Sequence, residues 1–401
     1  MRDVIKEDSP LKHSLRPHLP ELASFPDTKT MEASPLFRRL KPEMERILSS
    51  IEIGGAEPSS EKRASLRLVS WNIERGKNFQ GIAEALKSHA VLKHADVIML
   101  QEVDLGMARS QNRHVARELA NELEMAYYYV PGFIELSKGS RDERLVDGEN
   151  TWSLQGQALL TRVKPLMFDE VAINPVRDRM RGDEKCIGQR RGLLFTLPLK
   201  DKRLSIANVH LDHHTSGRGR AKQLAQVFDR LLETAPQGPA VVCGDMNATT
   251  YNLANKASFL ACIVEKAVRG VFWSAHHYMH PYARFEPMFD EAVRRDFDYE
   301  EFNDMWRGSV QMDITDEREY LKLTEYAPRL LADLTRDAIM KYGGRTPMKL
   351  DWFFVRDAVP LKRGAHLSND ETSVGAAVVD GLTYEGERVS DHDPIVLDLT
   401  C

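Results

Sequence analysis

Polar residues recur at the ends of apolar runs along this sequence. Asn72 follows LRLVSW, Glu102 follows DVIMLQ, His210 lies in IANVHLD, Asp245 and Asn247 follow AVVC, Asp351 opens DWFFV, and Asp391-His392 precede PIVLDL. Short apolar runs of this kind read as buried strands, and rigid strands hold short loops with working residues at one rim. The densest case is AVVCGDMN, residues 240–247. Gly244 ends the run with a residue that tolerates close backbone approach, and a carboxylate and an amide two residues apart can face one cavity that holds a water or a phosphate. Gly, Asp and Asn are also ordinary turn formers, so the rest of the chain has to decide. The full set offers carboxylates, amides and histidines without paired thiolates, which suits a hard cation such as Mg²⁺ or Mn²⁺.

The elements that must position these residues alternate. Apolar patterning predicts strands near 66–71, 96–100, 127–130, 157–161, 192–197, 204–211, 240–243, 351–355 and 394–399. Helical spacing predicts helices over 82–94, 113–124, 219–235 and 317–340. Residues 1–64 read as an appendage. Scattered prolines suggest an irregular arm to about 36, apolar residues at helical spacing over 37–51 suggest a docking helix, and 54–60 has a linker composition. Residues 65–401 read as the compact domain, with an insertion over 248–350. That insertion carries Trp273, His276, His277, Tyr278, His280, Tyr282, Phe285 and Trp306, and connections of such length are usually lids or functional insertions.

Composition excludes several classes. With 42% hydrophobic and 29% charged residues in 401, the chain can bury a large core. Its net charge of −5 gives no global pull towards nucleic acid or an anionic membrane, so a polyanion must be recognised locally. Four cysteines without a CxxC pair argue against a zinc site or a disulfide framework. The N-terminus is charged where a signal peptide is apolar, and no run of about 18 apolar residues occurs. A cytoplasmic protein is expected, with peripheral membrane contact unsupported.

SWNIERG, LQEVD, NVHLDHH, GDMN, KLDWFF and SDHDP occur in the order of the endonuclease/exonuclease/phosphatase superfamily of metal-dependent phosphohydrolases, which this sequence resembles over roughly residues 66–400. The resemblance implies a four-layered α/β sandwich, two packed mixed β-sheets flanked by helices. On matching positions it implies that Asn72 and Glu102 hold the principal Mg²⁺ or Mn²⁺ with help from Asp391. Asp245 would deprotonate the attacking water and Asn247 would fix that water or a phosphate oxygen. His392, kept charged and oriented by Asp351, would contact the phosphate, with His210 a second donor. Gln157 stands where many members have Asn and is an expected rim contact. Arg190 and Arg191, with Arg177, Arg179 and Arg181 nearby, are the expected anion attractors. His213 and His214 are expected at the surface or on the phosphate.

The implied activity is metal-dependent hydrolysis of a phosphodiester. Nucleic acid is slightly favoured as substrate by the arginines and by aromatics able to stack on bases; a phospholipid or inositol phosphate is favoured by an apolar, Trp-bearing insertion. A non-catalytic scaffold would show gaps among the site residues, and none is missing.

Overall fold

The run AVVCGD is buried at every position because both faces of its strand are covered. Val241 and Cys243 point into one apolar cluster, Ala240 and Val242 into another, as the two-residue period of a strand requires. In this computed structural model residues 4–6, 11–182, 184–317, 320, 324, 328–368 and 371–401 are described.

The described strands are, in chain order, β1 (Val4–Lys6), β2 (Ile51–Gly55), β3 (Leu66–Arg75), β4 (Val97–Leu105), β5 (Ala126–Glu135), β6 (Leu154–Thr161), β7 (Met167–Ala172), β8 (Cys186–Gly188), β9 (Arg191–Leu199), β10 (Lys202–His210), β11 (Ala240–Asp245), β12 (Val310–Asp313), β13 (Arg345–Met348), β14 (Asp351–Arg356), β15 (Val359–Pro360), β16 (Ala376–Val378), β17 (Thr383–Tyr384), β18 (Glu387–Arg388) and β19 (Ile395–Thr400). The larger sheet runs β1-β2-β5-β6-β4-β3-β19-β15, with β16 also on β19 and β8 also on β5; the smaller runs β14-β11-β10-β9-β7. Both are mixed: β3 and β4 pair parallel, as do β10 and β11, while β19 with β3 and β9 with β10 pair antiparallel.

Leu66, Leu68, Val97, Met99 and Leu159 from one sheet meet Leu193, Phe195, Ile206, Val241 and Phe353 from the other in a shared apolar layer. The helices Pro35–Ser49, Phe79–Ser88 and Val115–Leu123 bury their apolar sides on the outer face of the larger sheet. Gly217–Thr234 and Met288–Val293 do the same on the smaller one. The result is the expected four-layered α/β sandwich. Each layer follows from local chemistry: in Gly217–Thr234, Ser216 caps the Gly219 amide at 3.1 Å, and Leu224, Val227, Phe228 and Leu231 recur at helical spacing on the buried side.

The first 64 residues are more integrated than their composition suggests. Gly54 and Gly55, read as linker, belong to β2, which pairs with β5 from Glu52 opposite Tyr129 to Gly55 opposite Ala126. Gly55 has φ +82°, and a Cβ there would strike the Met125 carbonyl, so the glycine serves close backbone approach rather than slackness. Leu11, Leu15, Leu22 and Met31 lie in the same core as Val115 and Leu119. Pro20 and Pro35 sit in the first turns of Leu19–Ala23 and Pro35–Ser49, where a missing N–H costs nothing.

The insertion divides. Tyr282, Phe289, Phe297 and Tyr299 pack with Trp352 and Phe354 on the outer face of the smaller sheet. Residues beyond it form a ribbon in which Val310 of β12 pairs with Met348 of β13. Of the helix expected over 317–340, Arg329–Met340 is observed, while 318–319, 321–323 and 325–327 lie outside the described residues. Among the described residues no helix is long and apolar enough to cross a membrane.

Candidate active site

The ends of β3, β4, β5, β10 and β11 and the starts of β6 and β14 meet at one rim, because the antiparallel strands enter where the parallel ones leave. A cavity of about 480 Å³ opens there, lined in part by Asn72, Glu102, Arg190, His210, Asp245, Asn247, Asp391 and His392. Asp351 stands behind His392 rather than on the wall.

Two register shifts aim the first of these side chains. Between Asn72 and Arg75 the strand β3 carries one residue more than β4, and between Leu100 and Val103 β4 carries one more than β6. Glu102 sits in the second bulge with φ +50°, and Glu74 and Arg75 in the first with φ +45° and +69°. Such bulges turn a side chain out of the strand alternation at the cost of uncommon backbone geometry. Gly244 performs the matching task on β11: its φ is +131°, and any Cβ would collide with the Val209 carbonyl of β10, so the two strands can close up just before Asp245.

Asp245 is the hub. Its Oδ1 accepts from the Asn247 amide at 2.8 Å and its Oδ2 from Asn72 Nδ2 at 3.0 Å; His210 Nε2 lies 3.2 Å and His392 Nε2 3.8 Å from Oδ2. Burial pushes this carboxyl up to about 7, with the Asp351 charge adding to the effect and His392 opposing it.

The two histidines are set in opposite states. Arg190 Nη1 donates to His210 Nδ1 at 2.8 Å, and a guanidinium can only donate, so the His210 proton is on Nε2, facing Asp245. Burial first, then Arg190 and His392, hold its pKa well below the ordinary imidazole value. His392 also suffers burial, but the carboxylates of Asp351 and Asp245 overcome it and raise its pKa well above that value; its Nδ1 lies 2.8 Å from Asp351 Oδ2. The loop bearing His392 is tied down. Trp71 Nε1 donates to the His392 carbonyl at 2.8 Å, Ser390 Oγ to the Asn72 carbonyl at 2.8 Å, and the Asp393 amide to the Ser309 carbonyl at 2.7 Å.

Asn72, Glu102 and Asp391 all reach the cavity and present oxygen donors, so the residues fit a hard cation. Burial disfavours the Glu102 charge, but Arg75 and Arg190 hold its carboxyl below the usual range; Arg75 Nε is 3.5 Å from Glu102 Oε2, longer than a hydrogen bond between them would be. Its carboxylate is thus ionised and open to another partner. Asp245, Asp351 and His392 also lie close together, within 4.8 Å, but an imidazole charged by two flanking carboxylates has no lone pair to offer a metal.

Two of the expected substrate contacts are elsewhere. Gln157 shares its strand face with Gln155, one pleat deeper, where its amide donates to the Arg191 carbonyl across the two sheets; Gln155 is the one that reaches the cavity. The Arg191 side chain pairs with Glu170 of β7 and borders a second cavity between β8 and the helix Pro35–Ser49. Arg190 points the other way, as neighbours on a strand do. Arg177 and Arg179 line the active cavity, Arg179 paired with Asp212. Burial opposes the Asp212 charge, yet Arg179 and Arg190 bring its carboxyl down to about 2. His213 and His214 line the cavity too, and His213 Nδ1 is 3.0 Å from Asn247 Oδ1.

Sequence reasoning missed Arg75, Glu135 and Glu184, which reach the cavity, and Glu143, which pairs with Arg75. It also missed an apolar wall that includes Val310, Met312 and Ile314. The alternation of those three residues was a strand signal available in the sequence.

A phosphoester-hydrolase class agrees with a hard-cation donor set beside a buried, multiply held carboxylate on an α/β sandwich. The chain belongs to the Endonuclease/Exonuclease/phosphatase family, whose profile matches residues 69–392, and members of that family are hydrolases acting on phosphoester bonds. Solved structures with a similar fold include an endonuclease/exonuclease/phosphatase from Beutenbergia cavernae, at 16% identity over 84% of this chain and 72% of that one, TM-score 0.47. The human Nocturnin catalytic domain with bound sulfate is 15% identical over 86% of this chain and 98% of its own, TM-score 0.44. A D. rerio TDP2 humanized by 14 mutations is 16% identical over 84% of this chain and 100% of its own, TM-score 0.42. No curated protein matches the chain.

Proposed function

We propose that the protein is a divalent-cation-dependent phosphoesterase that hydrolyses a phosphodiester by attack of water. The observation that carries this reading is the convergence on one buried carboxylate, Asp245, of Asn72, the Asn247 amide, His210 and His392. Both oxygens of Asp245 are held, so the group is oriented, and with a carboxyl pushed up to about 7 it accepts a proton from water near neutral pH. Asn247 lies beside it to fix the water or a phosphate oxygen. His392, charged against Asp351, donates towards the phosphoryl group as negative charge develops there. His210 is neutral and keeps its Nε2 proton on Asp245, which makes it an orienting group for the base. A Mg²⁺ or Mn²⁺ held by Glu102, Asn72 and Asp391 would add Lewis-acid neutralisation of the phosphoryl oxygens.

Nucleic acid is supported as substrate by Arg177, Arg179 and Arg190 at the cavity; a lipid-like ester is supported by the apolar wall facing the same space. The test is turnover of oligonucleotides, sphingomyelin and inositol phosphates with Mg²⁺ and with chelator. Metal-dependent release of product from any of them is expected, and inertness towards all three classes would overturn the reading.

A further inference from the structure

The active cavity has two unlike linings. Charged and amide groups from the strand ends form one; the other is Leu253, Val310, Met312, Ile314, Met348 and Leu350, all from the insertion or its stem. Alternation places Val310, Met312 and Ile314 on one face, and pairing puts Met348 directly beside Val310. This wall is fixed to the catalytic residues. Val310 bridges through its backbone to His392, and Ser309 Oγ accepts from the amides of Leu350 and Asp351, each at 3.1 Å. The Met246 amide donates to the Leu350 carbonyl at 3.0 Å. Whatever phosphate His392 contacts therefore has an aliphatic surface one residue away.

Nucleic acid fits this surface poorly. A strand carries further phosphates on one or both sides of the scissile one, and each calls for Lys, Arg or amide partners. Among the described residues no Lys or Arg of 248–350 lines the cavity. Arg179 is engaged by Asp212, Arg190 by His210 and Arg75 by Glu143 and Glu184, which among the described residues leaves Arg177 as the cavity cation to meet a further phosphate. The phenyl and phenol rings on the cavity are already covered: Phe133 lies under Arg179 and Arg190, and Phe259 packs on Tyr251. Tyr251 carries Lys266 Nζ at 4.3 Å from its ring centroid, and its hydroxyl is bonded to that of Tyr278.

Resting on the catalytic reading above, we propose that one of the two alcohols esterified in the preferred phosphodiester is aliphatic, and that its chain lies along the half-buried Val310 and Met312, backed by the buried Ile314, Met348 and Leu350. Hydrolysis joins the water oxygen to phosphorus, breaks one P–O ester bond and passes the water proton to the departing alcohol, so no other reactant is required. Each methylene laid on the wall leaves water, which sets a graded preference.

The experiment compares methyl, butyl and octyl 4-nitrophenyl phosphate, below their aggregation limits, with thymidine 5′-(4-nitrophenyl) phosphate, following nitrophenolate in Mg²⁺. kcat/KM should rise at least about tenfold from methyl to octyl, and the thymidine ester should not exceed the methyl ester. Met312→Gln and Met348→Gln should each reduce the octyl-to-methyl ratio severalfold, a ratio taken within one preparation and so insensitive to a misfolded fraction. Equal kcat/KM along the series, preference for the thymidine ester, or an unchanged ratio in both variants would overturn the inference while leaving the catalytic reading standing. Failure to turn over any ester with Mg²⁺ or Mn²⁺ would sink the catalytic reading, and this inference with it.

Discussion

Asp351 Oδ2 lies 2.8 Å from His392 Nδ1, while Asp351 Oδ1 is buried and makes no hydrogen bond among the described residues. The carboxylate is 1% exposed, so its charge acts on the imidazole rather than on solvent. Burial alone would lower the His392 pKa; Asp351 and Asp245 raise it. A raised pKa keeps the proton on as pH climbs, and activity that needs the imidazolium falls only as pH passes the raised value. Asp351→Asn should cost about 10- to 100-fold in kcat/KM and move the alkaline limb of its pH profile to lower pH. An unmoved limb would mean that His392 is not the ionising donor.

Asp245 makes a prediction in which activity and stability part company. Asp245→Asn keeps the shape but removes the base, so kcat should fall by about 10² or more. Its carboxyl is raised to about 7 from 3.8, so in metal-free protein between those values the folded state holds a proton that the unfolded state has released. Stability of the wild type then declines as pH rises through this window. In chelator, the variant should melt no lower than wild type at pH 8, and its advantage should shrink towards pH 4. A variant that melts far lower at pH 8 would show that Asp245 is a structural anchor.

The strand-end positions of Asn72, Glu102, His210, Asp245 and His392 were legible because each follows or opens an apolar run, and the fold class was legible from the same alternation. The bulges were not. A Glu at φ +50° leaves no mark in a sequence, since nothing about the residue type announces the left-handed region. Gln157 was misplaced because a sequence does not show depth along a strand, and Gln155, on the same face, stands nearer the rim; Arg191 was misplaced because alternation turns it away from Arg190, which was also expected at the site and lines the cavity. Gly54-Gly55 read as a linker because composition does not distinguish a flexible glycine from one pressed against a neighbouring strand.

Metal removal separates catalysis from folding. A core that spans two sheets does not need an ion, so EDTA should abolish activity, and Mg²⁺ or Mn²⁺ should restore it, with the folded state intact throughout by circular dichroism. Saturating Mg²⁺ at about 100 times its Kd should stabilise the wild type by about 2.7 kcal/mol, and Glu102→Gln should lose most of that gain. Equal Mg²⁺ stabilisation of both proteins would place the ion away from Glu102.

The insertion was expected to be a lid or a functional insertion, and its packing divides it. Phe289 is 2% exposed, with ring centroids of Trp352 and Tyr299 each 4.8 Å away, so it belongs to the outer core of the smaller sheet. Trp306, expected to cover substrate, is 93% exposed and does not line the cavity. Phe289→Ala should therefore cost about 3–5 kcal/mol in urea unfolding, while the protein that remains folded keeps its kcat/KM on a small diester within about twofold. Trp306→Ala should change stability by no more than about 0.5 kcal/mol and leave both kinetic constants alone. A tenfold loss of kcat/KM on alteration of Trp306, with stability intact, would put that side chain on the substrate and return the outer part of the insertion to the role of a lid.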